Sequence, residues 1–369
     1  MKKYLPARAM LAATLVSALM LSGCSNSESD STAEKTSAAA NAANTSQAPT
    51  PLAANSNAAA SAKLPTTFDL QAHRGGRGEW TENSRTSFEN VKNVGVTTIE
   101  LDILVSEDGV PVVWHDEDIQ AEKCADTAPA TPQDPEFPYV GKLIKDLSWA
   151  QLQTLDCNKA LEKFPEAKHE QGTKLIQLSE LYDIYAGTDA YFNVEAKVAV
   201  EKPGTNKPNP EIVSAMLGAI NASGMADRTT IQSFDWSIFP LFREQAPEIP
   251  LALLWDETTW KSGSAWTGSV DYDAVKGDVI AAAKQLDVQI LSPGFAVPYD
   301  AAAGDKDYHP VATPEFMRKA HEAGLRVIPW TINDEATMRE QIDAGVDGII
   351  TDYPSKLKKI LDEKGVEYK

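Results

Sequence analysis

From Thr67 onward the chain alternates between two kinds of apolar spacing. Short runs rich in β-branched and aromatic residues read as strands, and between them apolar residues recur every three or four positions, as on one face of a helix. Eight strand candidates emerge: Phe68–His73, Thr97–Leu104, Tyr191–Ala196, Thr229–Ser233, Pro250–Leu254, Val288–Leu291, Arg326–Trp330 and Gly348–Thr351. Helical spacing falls at Ser84–Val94, Pro210–Ser223, Ala274–Leu286, Pro314–Ala323, Glu335–Ala344 and Ser355–Glu363, several with Ser, Asn or Asp near the start and Gly past the end. Eight strands with crossover helices predict an α/β fold, a (β/α)8 TIM barrel, in preference to an open doubly wound sheet.

The alternation breaks twice. Between the second and third strands the proline-rich segment Asp116–Gly172 has no clear period, carries Cys124 and Cys157, and reads as an insertion after strand two that caps the barrel. Trp255–Asp273 then sets Trp255, Trp260 and Trp266 among Gly, Ser and Thr. Loops that follow barrel strands lie on the face that carries chemistry, so both excursions are expected there. Upstream, residues 24–66 are mostly Ser, Ala, Asn and Thr, a composition with too little apolar mass to order itself, and they read as a tether to a barrel domain at 67–369.

Composition narrows the function. At 369 residues and 43% hydrophobic content the chain can fill a barrel core, while a formal charge of −19 argues against nucleic-acid partners and against electrostatic docking on anionic lipid. Lys2, Lys3 and Arg8 precede the apolar run Met10–Leu21, which is too short to span a bilayer and leads into Ser22-Gly23-Cys24. This resembles a bacterial lipoprotein signal over residues 1–23, with Cys24 the acylated first residue of the mature chain; an ordinary cleaved secretory signal is the other reading. Ser25, in place of an aspartate, resembles an address for the outer membrane, so the implied location is the bacterial cell envelope, with membrane contact through the lipid anchor. Three cysteines is an odd count. Giving Cys24 to lipid leaves Cys124 and Cys157 as an expected disulfide in an oxidising compartment, two separate thiols being the alternative.

Candidate chemistry sits at strand ends. Glu100 and Asp102 alternate with apolar residues in Ile99-Glu100-Leu101-Asp102-Ile103, so both carboxylates share one strand face, turned inward in a barrel or solvated in an ordinary sheet. Asp108-Gly109 signals a hairpin turn into the β-run Val110–Trp114, and counting back across it brings His115 near both acids, as a chemical group or as a hydrogen-bonded structural histidine. In Asn193-Val194-Glu195-Ala196-Lys197 the polar residues again share a face. Three converging carboxylates would repel one another without a cation, and oxygen ligation suits Ca²⁺ or Mg²⁺ better than Zn²⁺. Lys197 either neutralises a bound anion or pairs with Glu195. Strand one ends in His73-Arg74-Gly75-Gly76-Arg77-Gly78, where two arginines can hold phosphate oxygens and the glycines let backbone approach a ligand. That segment lacks the Gly-Lys-Ser/Thr ending of a P-loop.

Taken in order, His73-Arg74-Gly75-Gly76, Glu82-Asn83-Ser84, Ile99-Glu100-Leu101-Asp102, Asp108-Gly109 with His115-Asp116, Asn193-Val194-Glu195-Ala196-Lys197, Ser233-Phe234-Asp235 and Trp330-Thr331-Ile332-Asn333 resemble the glycerophosphodiester phosphodiesterase family. The resemblance runs from Leu70 to Pro354. It implies a TIM barrel with an insertion after strand two, and metal-dependent hydrolysis of deacylated phospholipids to glycerol 3-phosphate and an alcohol. By matching position it implies Glu100, Asp102 and Glu195 as metal ligands, His73 and His115 as general acid and base, Arg74 and Lys197 as phosphate contacts, and Trp330 as an aromatic wall beside the glycerol. It further implies that a glycerol hydroxyl attacks first, giving a cyclic phosphate that water opens. Thr81 stands where the family usually has proline, a change expected to act on loop rigidity rather than chemistry. Two other readings stay open: a phospholipase on a similar barrel that acts on intact lipid or lysolipid, which the three tryptophans would favour, and a non-catalytic binding lipoprotein.

Overall fold

The computed structural model describes residues 64–368. The export signal, Cys24 and the tether as far as residue 63 lie outside the described residues. Eight parallel strands form the wall of the domain: β1 (Asp69–Ala72), β2 (Thr98–Val105), β3 (Tyr191–Ala196), β4 (Thr229–Ser233), β5 (Leu251–Trp255), β6 (Ile290–Pro293), β7 (Arg326–Val327) and β8 (Gly348–Thr351). They pair in the order β7-β6-β5-β4-β3-β2-β1-β8. Across the remaining seam Asp347 N–H donates to Val327 O at 2.9 Å and Ile350 N–H to Pro329 O at 3.0 Å. The result is a nearly closed TIM barrel in which every expected strand is present. β7 is shorter than the expected Arg326–Trp330, and Pro329 has no N–H to extend the ladder.

A helix follows each strand: α1 (Arg85–Val94), α2 (Leu178–Ile184), α3 (Asn209–Ala222), α4 (Phe239–Gln245), α5 (Val279–Gln285), α6 (Pro314–Glu322), α7 (Glu335–Ala344) and α8 (Pro354–Lys364). Local chemistry sets their ends. The Ser84 hydroxyl accepts the Ser87 N–H while Ser87 Oγ accepts the Ser84 N–H, which satisfies two free donors at the start of α1. α5 begins later than the expected Ala274 because Asp278 Oδ1 accepts from the N–H groups of Ile280 and Ala281, and residues 276 and 277 turn through positive φ. α2 and α4 have seven residues each, too few for an apolar period to stand out in the sequence.

Alternation along the strands separates two environments. Leu70, Leu101, Val194, Ile231, Leu253 and Leu291 point outward into the core beneath the helices. Inward positions divide again. Ala252, Ile290, Ile328 and Ile350 form an apolar cluster, whereas Gln71, Glu100, Asp102, Asn193, Glu195 and Gln232 are buried polar groups contributed by β1 to β4. The buried charged residues among the inward positions of the strands thereby fall on β1 to β3.

The insertion has a small core of its own, in which Trp114, Ile119, Tyr139, Ile144 and Leu152 gather around Cys124 and Cys157, and those two cysteines are joined in a disulfide. Thr81 ties the barrel to the insertion: its N–H donates to Lys168 O at 3.0 Å and its hydroxyl lies 2.9 Å from His169 Nδ1. Proline could make neither contact, which accounts physically for threonine at this position. Of the three tryptophans in the second excursion, Trp255 is buried in the core and Trp260 packs on Trp236 at 5.0 Å. Only Trp266 turns toward the barrel mouth, 6.2 Å from Phe234.

Gly348 pairs with Asp69 across β8 and β1, and a Cβ there would lie 2.4 Å from Asp69 O. Gly348→Ala is therefore expected to lower stability by about 1–3 kcal/mol, read as a lower urea midpoint. An unchanged midpoint would contradict the close approach.

Candidate active site

Register brings the acids together. On β2 and β3, Asp102 lies beside Glu195 and Glu100 beside Asn193, and on β4 Gln232 lies beside Glu195. One ligand oxygen from each of Glu100, Asp102 and Glu195 falls within 4.8 Å of the others, and all three residues are buried. A run of amides orients the first of them: Gln232 Nε2 donates to Glu100 Oε1 (2.7 Å), Asn193 Nδ2 to Gln232 Oε1 (2.8 Å) and to Gln71 Oε1 (2.9 Å), and Gln71 Nε2 to Asp69 Oδ2 (2.9 Å). Neutral amides can donate and accept at once, so they fix a buried carboxylate without adding charge.

The hairpin works as the spacing implies. Val113, Val112 and Pro111 pair antiparallel with Ile103, Leu104 and Val105, and Trp114 N–H donates to Asp102 O at 3.1 Å. His115 follows at the mouth, half-buried, with Nδ1 3.0 Å from Asp116 Oδ1. On the other side, β1 ends in a tight turn in which Arg74 has φ +51° and Gly75 φ +77°. This turn aims the Arg74 N–H at Glu100 Oε2 (3.0 Å) and sets Arg74 Nε 3.1 Å from Asp102 Oδ2. The glycines, expected to let backbone approach a ligand, are also required by packing: a Cβ on Gly75 would lie 2.5 Å from Ser87 Oγ, inside the cap of α1, and one on Gly76 would lie 2.9 Å from Pro354.

His73 is oriented by a residue that the sequence did not single out. Its Nδ1 lies 2.6 Å from Asp352 Oδ1, just beyond β8, and its Nε2 lies 3.9 Å from Glu100 Oε2. Asp352 also accepts from Arg77 Nε at 2.7 Å and from Asn333 Nδ2 at 2.7 Å. Burial would raise the Asp352 carboxyl, but His73 and Arg77 hold it well below the usual range. Burial, then Arg77, pushes the His73 imidazole down to about 4, so at neutral pH it donates Nδ1–H to Asp352 and keeps the Nε2 lone pair. Burial, Arg74 and Lys197 likewise lower His115 well below its ordinary value.

His73, Arg74, Glu100, His115, Glu195, Lys197 and Trp330 line one cleft of about 450 Å³, together with Arg77, Gln232, Phe234 and Tyr299. Asp102 lies beneath them. Trp330 is braced by its indole N–H on Ser292 O (2.8 Å) and by the rings of Tyr299 and Phe234 at 5.0 and 5.2 Å. A second recess of about 780 Å³ shares His115, Glu195, Lys197 and Phe234 with the cleft and runs outward along Glu201 and Trp266. Tyr299 lies in an irregular loop and carries no signal readable from the sequence. Asp352 does carry one, a polar residue at the end of a barrel strand, as His73 is.

The acids cannot share one charge state. Burial, Asp102 and Glu195 push Glu100 well above the usual carboxylate range, with Arg74 opposing. Burial lifts Glu195 to about 7 against the pull of Lys197, whose Nζ lies 3.1 Å from Glu195 Oε1. Burial would raise Asp102 too, but Arg74 and then His115 and Lys197 hold it low. Among the described residues neither Asp102 carboxylate oxygen accepts a hydrogen bond, since Arg74 Nε is near but out of line. Three convergent oxygen donors, one with both atoms unsatisfied, fit a hard divalent cation held by Glu100, Asp102 and Glu195.

A model of the glycerophosphoryl diester phosphodiesterase family matches residues 73–356. A glycerophosphodiester phosphodiesterase of Caldanaerobacter subterraneus subsp. tengcongensis is 25% identical over 300 residues, covering 80% of this chain and 98% of its own. A lysophospholipase D of Homo sapiens is 23% identical over 305 residues, covering 80% and 86%. Among solved structures, one from Silicibacter pomeroyi DSS-3, assigned as a glycerophosphoryl diester phosphodiesterase, matches with a TM-score of 0.67 and 27% identity over 84% of this chain and 98% of its own. An Oleispira antarctica phosphodiesterase in complex with the product sn-glycerol-3-phosphate shares the fold, with a TM-score of 0.58 and 20% identity over 79% and 96%. With the model spanning more than half of the sequence, the chain belongs to the glycerophosphoryl diester phosphodiesterase family.

Proposed function

We propose that the protein hydrolyses glycerophosphodiesters to glycerol 3-phosphate and an alcohol by histidine acid–base catalysis supported by a divalent cation. One observation carries the reading: a single cleft holds three convergent carboxylates, two imidazoles and the cations Arg74 and Lys197. The activities of the relatives and the glycerol 3-phosphate bound in the Oleispira antarctica enzyme support it. Delivery to the bacterial cell envelope by a lipid on Cys24 belongs to the same proposal.

Glu100, Asp102 and Glu195 would hold Ca²⁺ or Mg²⁺, which when bound supplies charge stabilisation to the phosphoryl oxygens. Arg74 and Lys197 bear on the same oxygens, and Trp330 packs the carbon face of the glycerol. His73 and His115 divide the proton transfers. One accepts the proton of the attacking glycerol hydroxyl as its oxygen bonds to phosphorus, and the other, entering the step as imidazolium beside the bound phosphodiester's negative charge, protonates the departing alcohol oxygen from Nε2. Water then opens the cyclic phosphate with the two roles exchanged. A lysolipid substrate is the second reading, favoured by the lysophospholipase D relative and by the outer recess that Phe234 and Trp266 line with aromatic surface. Trp255 is buried in the core and Trp260 is half-buried against Trp236, which removes most of the remaining support for lipid contact.

Product analysis separates the readings: glycerophosphocholine should yield glycerol 3-phosphate and choline, whereas turnover confined to lysophosphatidylcholine would favour the second. His73→Ala and His115→Ala should each lower kcat by roughly 10²–10⁴, and a loss under tenfold in either would contradict its role. Because the Glu195 carboxyl sits at about 7, below that pH it carries a proton that an incoming ion must displace. Calcium affinity by calorimetry should therefore fall by roughly tenfold per unit as pH drops below 7; equal affinity at pH 6 and pH 8 would contradict the displacement of a proton from Glu195.

A further inference from the structure

One cation from the insertion reaches behind the site. Lys123 Nζ lies 2.6 Å from Glu82 Oε1 and 2.5 Å from Asp116 Oδ2, and it sits over the Trp114 ring at 5.3 Å. Each carboxylate holds a different part of the centre. Asp116 turns Oδ1 to His115 Nδ1 at 3.0 Å; a carboxylate can only accept, so Nδ1 carries the proton and Nε2 is left bare. Glu82 is buried, with Oε2 3.5 Å from Arg74 NH1 and 3.8 Å from Arg77 NH1. Arg77 in turn donates to Asp352, the partner of His73. A continuous polar line thus runs from His115 through Asp116, Lys123, Glu82, Arg77 and Asp352 to His73.

Lys123 is the joint of that line. Without it Glu82 would keep only cation contacts of 3.5 Å or longer in a buried setting, and Asp116, with 22% of its side chain exposed, could turn to water and release the His115 ring. The ammonium is not among the groups that line the cleft. Its backbone is held by the next residue, Cys124, through the disulfide to Cys157. We infer that Lys123 is a positioning residue for the phosphodiester reaction, a cation that the insertion supplies to set His115 through Asp116 and the two arginines through Glu82. This rests on the phosphodiesterase reading of the cleft.

The test compares the full chain with Lys123→Met, Lys123→Arg, Asp116→Asn and the Lys123→Met/Asp116→Asn double variant on glycerophosphocholine with Ca²⁺. Long-range ¹⁵N spectra, assigned with His115→Gln, report the His115 tautomer independently of turnover. Lys123→Met should lower kcat roughly 10–100-fold, the usual loss when a group that orients an active histidine is removed, with KM changed less than about threefold. Lys123→Arg should restore most of kcat, and the double variant should be no worse than the poorer single, because Asp116 acts only through the His115 ring that Lys123→Met already releases. The His115 signal should move from Nδ1–H in the parent toward Nε2–H in Lys123→Met. A folded Lys123→Met that keeps more than half of kcat and the parent tautomer overturns the inference, as does a tenfold rise in KM at constant kcat, or losses that multiply in the double variant. Should Lys123→Met fail to fold, Asp116→Asn decides, and parental kcat there overturns the inference. A parent that turns over no glycerophosphodiester sinks the functional reading, while the tautomer comparison still decides the part played by Lys123.

Discussion

Three carboxylates within 4.8 Å of one another in a buried barrel mouth cannot all stay ionised unless positive charge lies among them, and most of this structure follows from that constraint. Parallel register between β2 and β3 sets Asp102 beside Glu195, so the convergence is built by the sheet itself. The protein meets the constraint with Arg74 on Asp102 and Lys197 on Glu195, and with amides rather than further charges behind Glu100. What remains unmet, two Asp102 oxygens without hydrogen bonds and a Glu195 carboxyl lifted to about 7, is the local environment in which a divalent cation binds well. Burial lowers both histidines, helped by Arg77 and Arg74 at His73 and by Arg74 and Lys197 at His115, so neutral imidazoles in the resting site follow from the charge arrangement.

The insertion is part of that arrangement. A barrel closes without it, yet it has its own core and a disulfide, and it returns Lys123 to the junction of Glu82 and Asp116. Thr81 anchors its far end with a backbone N–H that proline would lack. Rigid support behind the imidazoles matters for the proposed acid–base transfer, which needs side chains held within roughly 0.5 Å of the productive geometry.

The fold was largely legible in the sequence because a barrel strand shows its period in very few residues: Ile99 to Ile103 alternates strictly, and so does Asn193 to Lys197. The same alternation announced the inward acids, and Asp108-Gly109 announced the hairpin that carries His115. Other features left no such mark. α2 and α4 are too short for a period, and the late start of α5 depends on one aspartate cap. Lys123 sits in a segment without pattern, and its partners lie 41 and 7 residues away. Asp352 is 279 residues from the histidine it orients, a distance that only barrel closure spans. The packing role of Gly75 and Gly76 leaves no mark either, because a glycine forced by neighbouring side chains reads, in sequence, like one that makes room for a ligand.

The central claim is that the acids of β2 and β3 form one cation site with an imidazole on either side. Crystals of the protein soaked in calcium, with data collected at a long wavelength, test it most directly. An anomalous peak about 2.3–2.6 Å from oxygens of Glu100, Asp102 and Glu195 together is the predicted result. A peak elsewhere, or none while the three carboxylates stay paired with Arg74 and Lys197, would contradict it.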